Sequence, residues 1–178
     1  MSKIAPVRYH PLQVSFHWLV VVLVFIAFIL GKYISSLPNN EAGKIAPLGI
    51  HMLLGGITLV IIIARFITRL RLPKPDSATT GNAFLDQIGK LVHYALYVFV
   101  FLMTISGMAL SLQSGLMPIV FGNSGAALPA DFLAFTSRML HGFIAPALVL
   151  LILLHAGAAL YHQFMLKDNL LARMWYGK

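Results

Sequence analysis

The stretch VSFHWLVVVLVFIAFIL, residues 14–30, sets the class of fold. It is almost long enough by itself to cross a bilayer as a helix, which takes about 20 apolar residues. It also carries His17 near its start, and a polar ring in hydrocarbon is costly unless it has a partner. The chain of 178 residues is 59% hydrophobic and 10% charged, which is far too apolar for a soluble domain of this size. The sequence therefore predicts a membrane protein in which His17 has a function.

Four apolar segments meet the length of a membrane span, at about 12–34, 46–70, 90–112 and 139–166. Clusters of Pro, Gly, Asn and Ser separate them and indicate loops. We expect an all-α integral membrane four-helix bundle that forms one domain over residues 1–178. A cleaved signal peptide is not expected, because the first apolar run is long and no convincing small-residue cleavage site follows it.

The basic residues fall into two unequal groups along the chain. Ten lie at the N-terminus, in the second loop or at the C-terminus: Lys3, Arg8, Arg65, Arg69, Arg71, Lys74, Lys90, Lys167, Arg173 and Lys178. Only Lys32, Lys44 and Arg138 lie in the other two loops. The positive-inside rule then predicts that both termini lie in the cytoplasm. The net charge of +8 reflects this orientation and not a nucleic-acid partner. The lack of cysteine excludes disulfides and iron–sulfur clusters.

Four of the seven histidines form two pairs by depth in the predicted bundle. His17 and His155 lie toward the cytoplasmic ends of the first and fourth segments, and His51 and His141 lie toward the outer ends of the second and fourth. His141 and His155 are separated by about 21 Å along their helix and about 40° around it. Each pair offers two axial nitrogens from facing helices, which is what a bis-histidine b-type haem needs. For any single histidine, a hydrogen bond between helices is the alternative.

His162 competes with His155 for the inner pair, because it lies seven residues further along nearly the same helix face. The depth between His17 and His51 is about 17–20 Å, which matches the step from His141 to His155 and not the step of about 31 Å to His162. We therefore predict His17, His51, His141 and His155 as iron ligands of two haem b groups.

Several motifs of this chain resemble the bacterial cytochrome b561 family, in particular its stand-alone diheme members that oxidise superoxide. They are SFHWLV in the first segment, LVHYALY in the third, HAGAALYH in the fourth and KDNLLARM at the C-terminal end. The resemblance implies the pairing of His17 with His155 and of His51 with His141, and an activity as superoxide:ubiquinone oxidoreductase. Gln163 departs from the pattern, since a second histidine is expected there.

Such a pair of haems needs an electron acceptor and a donor. His162, with Lys167 nearby, is predicted to bind ubiquinone at the cytoplasmic end and to pass it protons, because imidazole titrates near neutral pH. His93 is a second candidate for this role, with an interfacial side chain as the more ordinary interpretation. At the outer end, Arg138 and Lys44 are predicted to attract superoxide, and Arg138 lies three residues before His141.

The sequence thus predicts a diheme membrane electron carrier that oxidises superoxide and reduces ubiquinone. Its expected partners are membrane lipid, ubiquinone and superoxide, with no nucleic acid and no obligatory protein partner. One alternative is a membrane cytochrome b subunit that passes electrons between a partner dehydrogenase or hydrogenase and quinone. A second alternative is a non-redox channel or scaffold in which the histidines only join helices.

Overall fold

The computed structural model describes residues 7–176 and contains no strand within that range. Four helices are long and apolar enough to cross a membrane. They and one short helix are, in chain order, α1 (Pro11–Ser36), α2 (Ile45–Arg71), α3 (Ala83–Gln113), α4 (Leu116–Val120) and α5 (Thr136–Tyr161). This architecture confirms the all-α membrane bundle that the sequence predicts.

The long helices begin and end near the predicted positions, except that α3 starts seven residues before the predicted residue 90. The Asn82 side chain caps α3 by accepting hydrogen bonds from the backbone N–H groups of Phe84 and Leu85. Asp86 accepts a further hydrogen bond from the Thr80 backbone N–H at 2.7 Å. This first part of α3 is more polar than a membrane span, so hydropathy indicated only the apolar part of the helix.

Short 3₁₀ helices occupy Ala42–Lys44, Phe132–Ala134 and Leu170–Met174. At its C-terminal end α5 continues into a π-helical turn over His162–Leu166. Single π-helical turns are rare in proteins and are frequent at functional sites.

Helix α1 packs against α2, α3 packs against α5, and α2 joins the two pairs through α3. One buried residue from each long helix forms an apolar layer across the bundle: Val20, Ile62, Val100 and Leu148. Leu148 lies midway along α5 between His141 and His155, so this layer separates two ends of the bundle. Large apolar side chains such as Phe25, Val60 and Leu153 are exposed on the outside, as expected for a surface that contacts lipid.

We call the end that holds residues 7–10 and the C-terminal segment the terminal end, and the other the loop end. At the terminal end, the C-terminal segment folds back against α1. Trp18 Nε1 donates a hydrogen bond of 2.8 Å to the Met174 carbonyl, and the Tyr9 backbone N–H donates one to the Arg173 carbonyl. Lys3 and Lys178, which contribute to the predicted orientation, lie outside the described residues.

Candidate functional site

Two pairs of histidine rings face each other across the bundle with nearly the same geometry. At the terminal end, the ring centres of His17 and His155 are 6.2 Å apart with their planes at 78°. At the loop end, the ring centres of His51 and His141 are 6.1 Å apart, again with planes at 78°. The structure therefore brings together the four histidines in the two pairs that the depth argument predicts.

The spacing of each pair fits two imidazoles bound to opposite sides of one metal ion. A metal–nitrogen bond is about 2 Å long, and each ring centre lies about 1 Å behind its nitrogen, so such rings are about 6 Å apart. In addition, Nδ1 of His17 is buried without a hydrogen-bond partner among the described residues. A buried polar atom of this kind is costly unless it gains a ligand. The histidine pairs thus fit bis-histidine ligation of haem iron.

A bare metal ion fits this arrangement less well than a haem does. Within residues 7–176, no three histidine or carboxylate side chains converge as a metal site. Two axial histidines are incomplete for a structural zinc ion, which takes four protein ligands. For haem iron they are complete, because the porphyrin supplies the remaining nitrogens.

Two glycines give the loop-end histidines the space they occupy. A Cβ atom built on Gly31 of α1 would lie 3.2 Å from Cε1 of His51, and one built on Gly107 of α3 would lie 3.3 Å from Cε1 of His141. One turn after His51, a Cβ on Gly55 would meet no atom within 4 Å. The surface beside His51 is therefore open, as a flat cofactor lying along the helix requires.

A serine contacts one loop-end ring. Ser106 Oγ lies 2.9 Å from the Met103 carbonyl, to which it can donate, and 3.0 Å from His141 Nδ1. With its one hydrogen on the Met103 carbonyl, the hydroxyl accepts a hydrogen bond from the tautomer of His141 that carries its proton on Nδ1. The other nitrogen of His141, Nε2, then has a free lone pair for a metal ion.

At the terminal end, a cleft adjoins the first histidine pair. Its lining includes His17 and His155 together with Arg65 and Arg69. Both guanidinium groups lie beside the Tyr97 ring, at 5.4 and 5.9 Å from its centre. No carboxylate among the described residues forms a salt bridge with either arginine. This unbalanced positive charge suits the propionate groups that haem carries.

His93 also lines this cleft, with its ring centre 5.0 Å from that of His155. His93 remains exposed overall, so its interpretation as an interfacial side chain stays a prediction beside its contact with His155. Because α3 begins at Ala83, His93 lies ten residues after the start of the helix. His10 is also exposed and caps α1 by accepting a hydrogen bond from the Leu12 backbone N–H.

His162 lies apart from the histidine cluster and pairs with Asp168. Its Nδ1 is 2.6 Å from Asp168 Oδ2, the one salt bridge found among residues 7–176. His162 is buried, whereas the Asp168 side chain is 27% exposed, so the pair connects the interior to the surface. Partial burial raises the pKa of Asp168, but hydrogen bonds from His162 and the Leu170 N–H outweigh it and hold the pKa below its usual value. The exposed Lys167 precedes Asp168 in a left-handed conformation.

The two cationic residues of the loop end have different surroundings. A Cβ on Gly142 would lie 2.8 Å from Arg138 Nη1, so the guanidinium lies against the helix beside His141. Lys44 is only 5% exposed, and its Nζ donates hydrogen bonds to the Leu37 carbonyl and to Asn39 Oδ1. Lys44 therefore holds its own loop together, and Arg138 is the more accessible of the two cations.

Sequence reasoning missed Asp168, Ser106, Gly31 and Gly107. A spacing signal could have found the two glycines, since each lies fourteen residues after a histidine of the terminal-end cluster on its own helix, namely His17 and His93. No local signal marked Ser106, because serine is a common residue in membrane helices. Asp168 was visible only as part of the polar sequence that follows the fourth segment.

Comparisons with known proteins show which proteins the chain is similar to. A family model described as prokaryotic cytochrome b561 matches residues 8–177. The chain is 32% identical over 169 residues to the "Probable superoxide oxidase CybB" of Yersinia pestis, covering 94% of this chain and 95% of that protein. It is 30% identical over 170 residues to "Cytochrome b562" of Cereibacter sphaeroides, covering 93% and 94%. It is 28% identical over 176 residues to "Cytochrome b561 homolog 2" of Escherichia coli strain K12, covering 95% and 92%.

Proposed function

Because the chain belongs to the prokaryotic cytochrome b561 family of haem-binding membrane electron carriers, we propose that it holds two haem b groups and moves electrons from superoxide to ubiquinone. His17 and His155 hold the haem of the terminal end, and His51 and His141 hold the haem of the loop end. The bound haems supply reversible one-electron chemistry at iron. The observation that carries this proposal is the pair of matched histidine sites on either side of one apolar layer.

The charge distribution supports an orientation with the terminal end in the cytoplasm. Eight of the eleven basic residues among residues 7–176 belong to the terminal end or to the segments that lead from it. The positive-inside rule assigns such an end to the cytoplasm. The family and the four spans fit an integral protein of the bacterial inner membrane, and the loop end then faces outward.

At the loop end, Arg138 attracts the anionic donor. Its guanidinium lies beside His141 and has no salt-bridge partner among the described residues. A fixed positive charge raises the local concentration of superoxide and the rate of its encounter with the site. Lys44 adds to this positive potential from its buried position, although it does not present its ammonium group to the surface.

At the terminal end, His162 is the group that contacts ubiquinone. The only side-chain hydrogen bond of His162 among the described residues uses Nδ1, so Nε2 is available to a quinone oxygen. The side-chain oxygen of the neighbouring Gln163 is buried without a hydrogen-bond partner in the same part of the chain. Lys167 supplies positive charge at the mouth of this site. The overall reaction consumes two superoxide anions, one ubiquinone and two protons, and yields two O₂ and one ubiquinol.

The decisive experiment adds superoxide and a short-chain ubiquinone to the purified protein in detergent. The proposal predicts haem reduction by superoxide alone and ubiquinol formation once quinone is present. Haems that superoxide does not reduce, but that a co-purifying dehydrogenase or hydrogenase does, would instead indicate a cytochrome subunit of a larger enzyme. A protein that takes up no haem at all would leave the histidines as contacts between helices.

The quinone site has its own test in the His162→Ala variant. Both haems and their reduction by superoxide are expected to remain, because His162 lies outside both histidine pairs. Reoxidation by ubiquinone is expected to slow about 10²-fold, the lower range for lost general acid catalysis. Loss of the terminal-end haem in this variant would show that His162, and not His155, is a ligand.

A further inference from the structure

We propose that Asp168 is the positioning residue of His162: Asp168 holds the proton on Nδ1 of the ring and returns protons to the ring from the cytoplasm during quinone reduction. This inference rests on the proposed function, since it concerns how protons reach the quinone. Ubiquinone needs two electrons and two protons to become ubiquinol. The haems deliver only electrons, so the protons must come through side chains or water.

The contact between the two side chains is short and uses only one of the two ring nitrogens of His162. His162 Nδ1 and Asp168 Oδ2 are 2.6 Å apart, the length of a strong charge-assisted hydrogen bond. Asp168 Oδ1 accepts a second hydrogen bond from the Leu170 backbone N–H at 3.1 Å, which fixes the carboxylate. A carboxylate in this position keeps the ring in one tautomer and one orientation, as in other carboxylate–histidine pairs. The opposite nitrogen, Nε2, is left to donate to a quinone oxygen.

The backbone on both sides of Asp168 has a conformation that brings its carboxylate to His162. Lys167 and Asn169 both have left-handed conformations, with φ of 56° and 55°. Residues other than glycine adopt this conformation at a cost in energy. Two such residues on either side of Asp168 turn the chain back, so that its carboxylate returns to His162 at the end of α5. The Asp168 backbone N–H also donates to the His162 carbonyl at 3.3 Å.

Exposure gives the pair a direction for proton transfer. The His162 side chain is 10% exposed and that of Asp168 is 27% exposed. A proton from the cytoplasm therefore meets the carboxylate first and the imidazole second. Three other titratable or charged groups among the described residues lie near the pair. The ring centre of Tyr161 is 6.4 Å from that of His162, and the charge of Arg173 favours ionised Asp168. The third is Lys167, the exposed neighbour of Asp168.

The test compares three variants, Asp168→Asn, Asp168→Glu and Asp76→Asn, with the unchanged protein. Each protein is loaded with haem, reduced and then mixed with a short-chain ubiquinone. Asparagine keeps the shape and can still accept hydrogen bonds, but it cannot carry a proton. Asp76→Asn removes a carboxylate of the second loop, on the same side of the membrane, whose side chain makes no hydrogen bond among the described residues. Haem content and absorption spectra are expected to be the same in all four proteins.

Reoxidation of the haems by quinone is expected to slow about 10- to 100-fold in Asp168→Asn. This loss is part of the rate enhancement that general acid catalysis provides. The deficit grows as pH rises, because protons then reach His162 only from the bulk. A small weak acid such as formic acid accelerates the Asp168→Asn variant but not the unchanged protein. Asp168→Glu restores much of the rate, and Asp76→Asn leaves both rate and pH profile unchanged.

Two failures are distinguishable by the same measurements. If the unchanged protein holds both haems but reduces no quinone, the proposed function is wrong. If it reduces quinone and Asp168→Asn does so with the same rate and pH profile, only the role of Asp168 is wrong. A rate that falls equally at all pH values, without rescue by a weak acid or by Asp168→Glu, would show that the pair only holds the end of α5 in place.

Discussion

Replacement of Ser106 with alanine should raise the reduction potential of the loop-end haem and leave the other haem unchanged. In the tautomer that leaves Nε2 for iron, His141 Nδ1 donates a hydrogen bond to Ser106 Oγ, and this bond would make a ligating ring a stronger electron donor toward iron. Electron donation favours the oxidised iron, so its loss favours the reduced iron. The other pair serves as an internal reference, because Nδ1 of His17 has no such partner among the described residues.

The size of the shift follows from the energy of one hydrogen bond. A typical intramolecular hydrogen bond contributes about 0.5–1.5 kcal/mol. For a one-electron couple, a tenfold change in the equilibrium constant corresponds to about 59 mV, so the full bond energy corresponds to roughly 20–65 mV. This range is an upper bound, since the hydrogen bond is weakened and not abolished when the iron is reduced. The shift is large enough to be measured by a redox titration.

The assay is a spectroscopic redox titration of the two haems in Ser106→Ala and in a matched variant, Ser111→Ala. Ser111 is a buried serine of the same helix whose hydroxyl has no hydrogen-bond partner among the described residues. Both variants lose one buried hydroxyl, but only Ser106→Ala loses a contact to a histidine. Equal potentials in Ser106→Ala and the unchanged protein, or an equal shift in Ser111→Ala, would refute the reasoning.

Two further predictions concern the loop end. His51→Ala should lose about one haem per chain and keep the His17 and His155 site filled, because the two sites share no ligand. Haem quantification measures this loss, and retention of both haems would overturn the pairing. Arg138→Glu should slow haem reduction by superoxide and weaken its dependence on ionic strength, because attraction of an anion is screened by salt. An unchanged rate at low salt would remove Arg138 from the proposed function.

Much of this architecture follows from a single spacing in the sequence. On each long helix, a residue of the loop-end site and one of the terminal-end site lie fourteen positions apart. The four sets are His17 with Gly31, His51 with Arg65, His93 with Gly107, and His141 with His155. Fourteen residues return to nearly the same face of a helix after about 21 Å. Helical periodicity therefore places the two members of each set at two depths on nearly the same face of their helix.

Other parts of the site could not be predicted from the sequence, because they depend on contacts between distant segments. The buried hydrogen bonds of Lys44 depend on where the first loop folds, so its charge alone suggested an exposed cation. The pairing of Asp168 with His162 requires a π-helical turn and two left-handed residues, and no local propensity indicates these. The packing of the C-terminal segment on α1 likewise depends on the final position of Trp18.

His93 provides the most direct test of which histidines bind iron at the terminal end. His155 has two ring neighbours, with centres 6.2 Å away for His17 and 5.0 Å away for His93. Two rings that bind one metal ion have centres about 6 Å apart, because each metal–nitrogen bond is about 2 Å long. Only the distance from His155 to His17 is that long. We therefore expect His93 to pack beside the proposed ligands His17 and His155 without binding iron itself.

The variant His93→Ala is accordingly expected to keep both haems, with an altered potential or spectrum for the terminal-end haem alone, because its surroundings lose one polar ring. Haem quantification with a redox titration measures both effects. His155→Ala is the matched variant and should lose the terminal-end haem. If His93→Ala loses that haem while His17→Ala keeps it, then iron lies between His93 and His155, and ring spacing is not a valid guide to ligation in this bundle.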